Sequence, residues 1–303
     1  MEVLNDSFKI KLNCRTYVTI GSFDGIHMGH LSLIKKAISL SKKNNTMSML
    51  STFKEHPLNV INKSIVPKIL MDNETKIEIL KSIGLDILNF FDFNEEIMKM
   101  MPEDFILNMI NHYNIDGIIT GFNHRFGYKN SGDIHLLKTL SEKYGFELYV
   151  LPPVSFKNDM VSSTRIRNCI SDGNIEEANQ MLLRPFSIKA KVIHGREIGR
   201  QIGFPTANLS YDNKFILPKI GVYYTTVEYN KITYKGITNV GTNPTVNGDK
   251  LTIETYILDF NQNIYDEEIR VNFVKKIRDQ IKFESIEQLK VQLEKDKKFA
   301  YKQ

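Results

Sequence analysis

The sequence predicts a two-domain protein, in which a doubly wound α/β domain with a parallel sheet precedes an antiparallel β domain. In the first half, short β-rich runs alternate with amphipathic helical stretches, whereas strand-like runs separated by Gly, Asn and Asp turns fill the second half. The charge also changes. Residues up to Leu183 contain 20 Lys and Arg against 21 Asp and Glu (net −1), and the residues from Arg184 onward contain 20 against 14 (net +6). We therefore expect domains at 1–183 and 184–303.

The first-half strands are predicted from their β-branched and apolar content. They are TYVTI (16–20), TMSMLSTF (46–53), DILNFF (86–91), GIIT (117–120) and ELYVL (147–151). Between them, apolar residues recur at helical spacing, at Leu31, Ile34 and Ile38 and again at Ile134, Leu137, Leu140 and Tyr144. Ligands of such sheets bind beyond the carboxyl ends of the strands, near the switch point, so the loop after the first of these strands is the first candidate site.

The second half contains five strand-like runs and no long helix between them. They are SIKAKVI (187–193), GVYYTTVEY (221–229), ITYKGITNV (232–240), LTIETYILDF (251–260) and EIRVNFVKKI (268–277). This pattern predicts an antiparallel barrel or sandwich. A closing helix is predicted from Ser285 to about Lys298, because Ile286, Leu289 and Leu293 keep helical spacing and Ser285 can act as the N-cap.

Composition excludes several classes of protein. With 42% hydrophobic and 25% charged residues among 303, the chain is not expected to be disordered. No apolar run approaches the roughly 18 residues of a membrane span, and the first residues lack the apolar core of a secretory signal. Two cysteines, Cys14 and Cys169, cannot build a disulfide framework or a four-cysteine zinc site, so we expect a reduced, cytoplasmic protein without a membrane partner.

The string GSFDGIHMGH (21–30) follows the first predicted strand and leads into a helix. His27 and His30 are three residues apart, so they face the same way on the first helical turn, and Gly29 between them lets a phosphate approach the backbone. A helix N-terminus adds unpaired N–H donors. The alternative is a turn with two incidental histidines, but the whole string in this place favours a phosphate site.

A second glycine-rich string, HGREIGRQIGFPTANL (194–209), opens the second half. Gly195, Gly199 and Gly203, with Pro205, permit a tight loop whose N–H groups can face phosphates, although such glycines are more often part of an ordinary turn. The two neutral oxygen ligands that follow, Thr206 and Asn208, point to one side of an extended segment. Such oxygens suit a Mg²⁺ ion that bridges nucleotide phosphates.

Together these strings resemble a known family. GSFDGIHMGH resembles the signature of the Rossmann-like HxGH nucleotidyltransferases, and specifically the flavin adenylyltransferase module of prokaryotic bifunctional riboflavin kinase/FAD synthetases. TFKEHP (52–57), GFNHRFGYKNSGD (121–133) and VSSTRIR (161–167) match that family in order, and GFPTAN (203–208) resembles its riboflavin kinase module. The resemblance covers nearly the whole chain and implies that the second domain is an antiparallel barrel.

The resemblance implies a role for particular residues of the first domain. It implies catalytic roles for His27 and His30, contacts to ATP for Gly21, Phe23, Asp24, Gly25, Gly29, Ser162, Ser163, Thr164 and Arg167, and contacts to flavin for His56, Asn123, Arg125 and Phe126. The chain departs from the family at Asn123-His124, where Asp-Phe is common, so the flavin contacts are the less certain part. VSSTRIR could also be an ordinary capped helix with surface arginines, and His56 could be structural.

In the second domain the resemblance implies that Glu254 is the catalytic acidic residue. A carboxylate among apolar strand residues can act as the general base for the 5′-hydroxyl of riboflavin, the alternative being a rim carboxylate paired with a lysine. Arg270 and Arg278 fall in the family's closing segment, where Arg278 would clamp phosphate or flavin or form a surface salt bridge. Before Arg184-Pro185 this chain has Leu183 where the family commonly has Gly.

The predicted function is therefore bifunctional. With ATP and Mg²⁺, riboflavin is phosphorylated to FMN, and FMN is then adenylylated to FAD with release of pyrophosphate. One alternative is a riboflavin kinase with a weak or silent adenylyltransferase domain. Another is a flavin-responsive nucleic-acid binder, which the basic second half permits, but no recognition helix or RNA-binding aromatic motif supports a nucleic-acid partner. The sequence specifies no oligomeric state.

Overall fold

The computed structural model describes residues 1–195, 199, 202–245 and 248–303. The chain forms two compact units: the first contains Met1–Pro67 and Asp72–Ser162, and the second contains Lys68–Met71 and Ser163–Gln303. A domain boundary at Leu183 stays a prediction. Among the described residues, no helix combines the length and the apolar character needed to cross a membrane.

The first unit is built on a six-stranded parallel sheet. Its strands are β1 (Glu2–Leu4), β2 (Thr16–Ile20), β3 (Met47–Phe53), β4 (Ile87–Phe91), β5 (Ile115–Gly121) and β6 (Glu147–Leu151), in the spatial order β1-β4-β3-β2-β5-β6. The chain runs outward from β2 through β3 to β4 and then returns to β5 on the other side of β2. The switch point, where ligands of doubly wound sheets bind, therefore lies between β2 and β5.

Helices cover both faces of this sheet. They are α1 (Met28–Asn44), α2 (Leu58–Ile61), α3 (Asn73–Ser82), α4 (Glu95–Lys99), α5 (Pro102–Tyr113) and α6 (Ile134–Tyr144). On one face Val18 packs in a core with Met109 of α5 and Leu137 of α6. On the other face Tyr17 packs with Ala37 of α1. Strands that are buried on both sides are expected in a doubly wound fold, and the predicted fold is confirmed.

Sequence analysis missed β1, which pairs in parallel with β4 at the sheet edge. The segment after β1 is held by a buried polar group, because the Tyr113 hydroxyl donates to the Asp6 carboxylate (2.7 Å) and Asn89 Nδ2 donates to the Asp6 carbonyl (3.0 Å). It also missed the short hairpin of β7 (Ser155–Phe156) and β8 (Asp159–Met160). Strands of two or three residues are too short to show a period.

The second unit contains a closed antiparallel barrel. Its strands are β9 (Phe186–Ile193), β10 (Thr206–Ser210), β11 (Gly221–Tyr229), β12 (Ile232–Thr245), β13 (Gly248–Ile257) and β14 (Glu268–Arg278), in the order β10-β13-β12-β11-β14-β9 with β9 also paired to β10. The barrel, rather than the sandwich, is confirmed. The buried hydroxyls of Thr225, Thr238 and Thr255 join three neighbouring strands through contacts of 2.9 Å each.

Three helices accompany the barrel in this unit: α7 (Ser163–Asp172), α8 (Ile175–Leu182) and the closing helix α9 (Ile286–Tyr301). Asn179 of α8 links two strands, since its Nδ2 donates to the Phe273 carbonyl (2.8 Å) and its Oδ1 accepts from the Phe186 N–H (2.7 Å). Ser285 caps α9 as predicted, by accepting from the Gln288 N–H (3.3 Å).

Candidate active sites

Three of the predicted site segments leave the first-unit sheet at the same edge. Residues 21–30 follow β2, residues 54–57 follow β3 and residues 122–126 follow β5. These strands are neighbours in the order β3-β2-β5 and run in parallel, so their carboxyl ends lie side by side. The fold therefore gathers the segments at the switch point.

The turn between β2 and α1 has an unusual backbone. Phe23 (φ 46°) and Ile26 (φ 35°) occupy the left-handed region together with Gly25 (φ 83°). That region is sterically unfavourable for a β-branched residue. The side chains of Phe23 and Ile26 are nonetheless 1% and 0% exposed, so apolar burial anchors the turn on both sides of Asp24 and Gly25.

His27 and His30 lie together at the start of α1. His27 is the N-cap of the helix, and its Nδ1 accepts a hydrogen bond from the His30 N–H (3.4 Å). The two rings are stacked, with centroids 3.7 Å apart and planes 19° from parallel. Because Nδ1 of His27 is an acceptor, a neutral His27 carries its ring proton on Nε2, where it is a donor. The predicted histidine pair is thus one compact group at a helix N-terminus.

Two glycines of this string allow close packing. A Cβ on Gly29 would lie 3.2 Å from the His27 ring and 4.0 Å from the Val161 carbonyl oxygen, and a Cβ on Gly21 would lie 3.2 Å from the Phe23 ring. Any side chain at Gly29 would therefore press on the imidazole of His27. The absence of a side chain keeps the histidine pair in its stacked position.

The VSSTRIR segment spans the two units. Ser162 is the last residue of the first unit, and the predicted phosphate-binding residues that follow on α7 are Ser163, Thr164 and Arg167. Within the second unit, Arg165 forms an ion pair with Glu177 of α8 (2.8 Å), and Arg167 Nε donates to the Lys68 carbonyl (2.6 Å). The first of these contacts is structural and accounts for an arginine at position 165.

The segment after β5 exposes some of its predicted flavin contacts and buries another. Asn123 and Arg125 are exposed, and Arg125 contacts the Asp133 carboxylate at 3.5 Å. Phe126 is 7% exposed and packs in the core beside Phe105, with centroids 6.2 Å apart. This ring therefore holds the segment in place through the core, while Asn123 stays accessible.

His56 lies beyond the end of β3. Its Nδ1 accepts a hydrogen bond from the Leu58 N–H (3.2 Å) at the start of α2. This contact supports the structural alternative for one ring nitrogen. The other ring nitrogen, Nε2, then carries the proton of the neutral ring and can donate.

In the second unit, the predicted metal ligands and base come together on two paired strands. Thr206 and Asn208 alternate along β10 and share a face, and Asn208 pairs directly with Glu254 of β13. Glu254 also pairs with Asn239 of β12, and all four side chains are partly exposed. Thr255, on the other face of β13, is fully buried. Side chains of directly opposed residues lie about 5 Å apart, so one oxygen-rich row crosses three strands.

The glycine-rich loop approaches this row closely, although residues 196–198, 200 and 201 lie outside the described residues. A Cβ on Gly195 would overlap the Asn208 carboxamide, and a Cβ on Gly199 would overlap the Phe204 carbonyl oxygen. Gly203 has φ 86°, a left-handed turn conformation just before Phe204 and Pro205. Glycine is therefore required at 195 and 199 for space and at 203 for the backbone.

A cavity of about 400 Å³ opens beside Pro205 and Thr206. Its far wall comes from residues 260–265, which sequence analysis left unassigned, and includes Phe260 and Tyr265. Tyr265 stacks on His194 at 3.8 Å between centroids. The only sequence signal was the polar run Asn261–Asn263 after a strand, which predicts a turn rather than a pocket.

The structure does not bring Arg270 and Arg278 to this row. Arg270 lies on β14, across the barrel from β13, with Nε 3.7 Å from the Glu228 carboxylate. Arg278 forms an ion pair (2.7 Å) with Asp296 of α9, whose side chain is 2% exposed. The salt-bridge alternative for Arg278 therefore describes its contacts, and a role of either arginine in binding flavin or phosphate stays a prediction.

Sequence analysis also missed Lys76, a buried lysine behind the turn that follows β2. It is 5% exposed and donates to the Ser22 carbonyl (3.3 Å). The available signal was a lysine four residues before Leu80, on the buried face of an amphipathic helix.

The partly buried His124 should make stability depend on pH. Burial lowers its pKa from 6.5 to about 4, so below pH 6.5 the unfolded chain binds a proton that the folded chain does not bind. We expect the free energy of unfolding to fall as pH decreases from 6.5 towards 4, and His124→Gln to remove about 1–2 kcal/mol of the difference between pH 7 and pH 5. Urea unfolding at both pH values tests this, with exposed His135→Gln as the control. An unchanged difference in His124→Gln would contradict it.

Curated relatives are similar to nearly the whole chain. The bifunctional riboflavin kinase/FMN adenylyltransferase of Buchnera aphidicola subsp. Schizaphis graminum is 39% identical over 94% of this chain and 93% of its own length. Proteins of the same name from Listeria monocytogenes (35%; 92% and 89%) and Escherichia coli K12 (32%; 92% and 90%) are also similar.

A solved structure from Streptococcus pneumoniae, titled as a macrolide-efflux protein, matches 99% of this chain and 98% of its own with a TM-score of 0.91 and 32% identity. That title names an activity of that protein; its likeness to this chain lies in the fold. Family models for FAD synthetase and for riboflavin kinase match residues 9–165 and 182–303. Because both models and the curated relatives agree, this chain belongs to the bifunctional riboflavin kinase/FMN adenylyltransferase family.

Proposed function

We propose that the two units catalyse consecutive steps of flavin cofactor synthesis. In the first step the barrel transfers the γ-phosphoryl group of ATP to riboflavin, giving FMN and ADP. In the second, the parallel-sheet unit with the start of α7 transfers the AMP group of ATP to FMN, giving FAD and pyrophosphate. One observation carries the proposal: each unit has its own set of side chains suited to phosphate chemistry, the His27–His30 pair in one and the Asn208–Glu254 pair in the other.

Adenylylation needs positioning and charge stabilisation more than proton transfer. An oxygen of the FMN phosphate is already anionic, so it can attack the α-phosphorus of ATP directly while pyrophosphate leaves on the opposite side. Negative charge then grows on the phosphate oxygens. His27 Nε2–H, the N-terminal N–H groups of α1 and the neighbouring His30 are donors suited to that charge. Ser163, Thr164 and Arg167 would bind the β- and γ-phosphates.

Riboflavin phosphorylation, by contrast, needs a base. The 5′-hydroxyl of riboflavin loses its proton as its oxygen bonds to the γ-phosphorus, and Glu254 would take that proton. Its neighbour Asn208 and the next residue on that face, Thr206, offer a carboxamide and a hydroxyl oxygen, a donor set that suits Mg²⁺. When bound there, Mg²⁺ would offset the charge of the ATP phosphates. The cavity beside Thr206 would receive the nucleotide. Dependence on ATP supports a cytoplasmic location, which stays part of the proposal.

The direct test is a time course with pure protein. One tube contains riboflavin, ATP and Mg²⁺, a second contains FMN in place of riboflavin, and flavins are separated by chromatography. We expect FMN to form first and FAD to follow in the first tube, and FAD to form in the second. FMN that accumulates without FAD would indicate a kinase with a silent first unit, and no product would contradict both activities.

Replacing His30 should affect one reaction alone. His30→Ala removes one ring of the stacked pair at the helix start, so we expect FAD formation from FMN to fall about 10²- to 10³-fold. FMN formation from riboflavin should stay within about twofold of wild type, because the barrel has its own site. Exposed His135→Ala is the matched control. An equal loss of both reactions would contradict separate sites.

Replacing Glu254 should have the opposite effect. Glu254→Gln keeps the shape of the side chain and removes its basicity, so we expect riboflavin phosphorylation to fall about 10²- to 10⁴-fold. Supplied FMN should still be adenylylated at the wild-type rate. Glu284→Gln, at an exposed position of the same unit, controls for the loss of a carboxylate. Phosphorylation that survives in Glu254→Gln would show that Glu254 is not the base.

A further inference from the structure

Lys76 lies on the buried face of α3, where a lysine needs an explanation. Its side chain is 5% exposed, and lysine is almost never so buried unless it is paired. The start of α3 is fixed, since the Asp72 side chain accepts from the Thr75 N–H (2.6 Å) and Asn73 Nδ2 donates to the Lys54 carbonyl at the end of β3 (2.9 Å). The ammonium group is therefore delivered to one place by a well-anchored helix.

That place is the back of the turn that leads from β2 to the histidine pair. Lys76 Nζ donates to the Ser22 carbonyl (3.3 Å), which also accepts from Thr52 Oγ1 (2.9 Å). The carboxylate of Asp24 attracts the ammonium and raises its pKa, but burial has the larger effect and lowers the pKa from 10.5 to about 8. Lys76 thus contacts the turn through one hydrogen bond and acts on it through one charge.

The hydrogen bond orients a peptide group. A trans peptide directs its N–H opposite to its carbonyl. With the Ser22 carbonyl held by Lys76 and Thr52, the Phe23 N–H points to the other side of the turn. Phe23, Gly25 and Ile26 then follow the left-handed path that ends at the N-cap His27. A peptide rotation at Ser22 would change the start of that path.

The charge matters because the turn contains a carboxylate. Asp24 lies within the string that we expect to meet ATP, and a carboxylate near phosphates raises their energy by like-charge repulsion. A buried ammonium opposite Asp24 offsets this repulsion. It is also weakly screened by salt, because it is out of water.

We propose that Lys76 is a positioning residue for FMN adenylylation, which fixes the Ser22–Phe23 peptide and offsets the charge of Asp24 so that the turn presents its N–H groups and the histidine pair to anionic substrates. This inference rests on the adenylyltransferase function proposed above. Lys76 acts from behind the turn and does not itself contact ATP or FMN.

The test compares Lys76→Met, Lys76→Arg and the control Lys81→Met, an exposed lysine of the same helix. For each variant, kcat and KM for ATP are measured in FMN adenylylation and in riboflavin phosphorylation. We expect Lys76→Met to lower kcat/KM for adenylylation about ten- to a hundredfold, the effect of a lost charged hydrogen bond, with riboflavin phosphorylation within about twofold of wild type. Lys76→Arg should recover most of the loss, and Lys81→Met should match wild type.

A second readout uses only proteins that keep the cation. Asp24 of the turn is the charged group that acts on the ammonium, while its hydrogen-bonding neighbours Ser22 and Thr52 are neutral. Adenylylation by wild type should fall as pH rises through about 8, where Lys76 loses its proton. In Lys76→Arg this fall should move to higher pH, since a guanidinium stays charged.

Wild-type adenylylation in Lys76→Met, an equal loss of both reactions, or an alkaline limb unchanged in Lys76→Arg would each overturn the inference. Failure of the proposed function is a separate result, since wild-type protein would then form no FAD at all. If Lys76→Met does not fold, the pH profiles of wild type and Lys76→Arg decide the question.

Discussion

The adenylyltransferase site depends on a backbone that the chain would not adopt without burial. Two non-glycine residues in the left-handed region, Phe23 and Ile26, cost about 1–3 kcal/mol each. Burying a Phe or Ile side chain stabilises the fold by about 1.5–3 kcal/mol, so the core beneath the turn offsets the strain. The turn can then end at His27 as an N-cap with His30 stacked on it. Positions of the catalytic rings therefore follow from apolar residues that never meet substrate.

The barrel achieves comparable precision by strand register. Asn208 and Glu254 are opposed because β10 and β13 pair in antiparallel register, and a slip of one residue would turn every side chain of one strand to the other face. Buried Thr255 and Ile257 on the inner face of β13 prevent that slip. The close approach at Gly195 then brings the loop against Asn208. Ladder hydrogen bonds, rather than strained turns, hold this row of oxygens.

The sequence predicted the elements that have a period and the strings that have a motif. Strands such as TYVTI and GVYYTTVEY agree with β2 and β11, and the histidine pair lies where the motif put it. Residues defined by long-range packing left no local signal. Lys76 shows only as one polar position on an apolar helix face, and residues 260–265 become a cavity wall only when the barrel closes. The glycine that the family commonly has at position 183 now has a reason, because Leu183 adopts φ 59° at the end of α8.

The two sites differ because their nucleophiles differ. A hydroxyl must lose a proton during attack, so the barrel needs a carboxylate whose proton affinity is raised by its apolar strand neighbours. A phosphate monoester has already lost its protons and instead brings negative charge to a nucleotide that is itself anionic. The parallel-sheet unit therefore needs donors and cations at a helix start rather than a base. A carboxylate in that unit, Asp24, is tolerable only with a cation nearby, and Lys76 is a cation that acts on Asp24 from the protein interior.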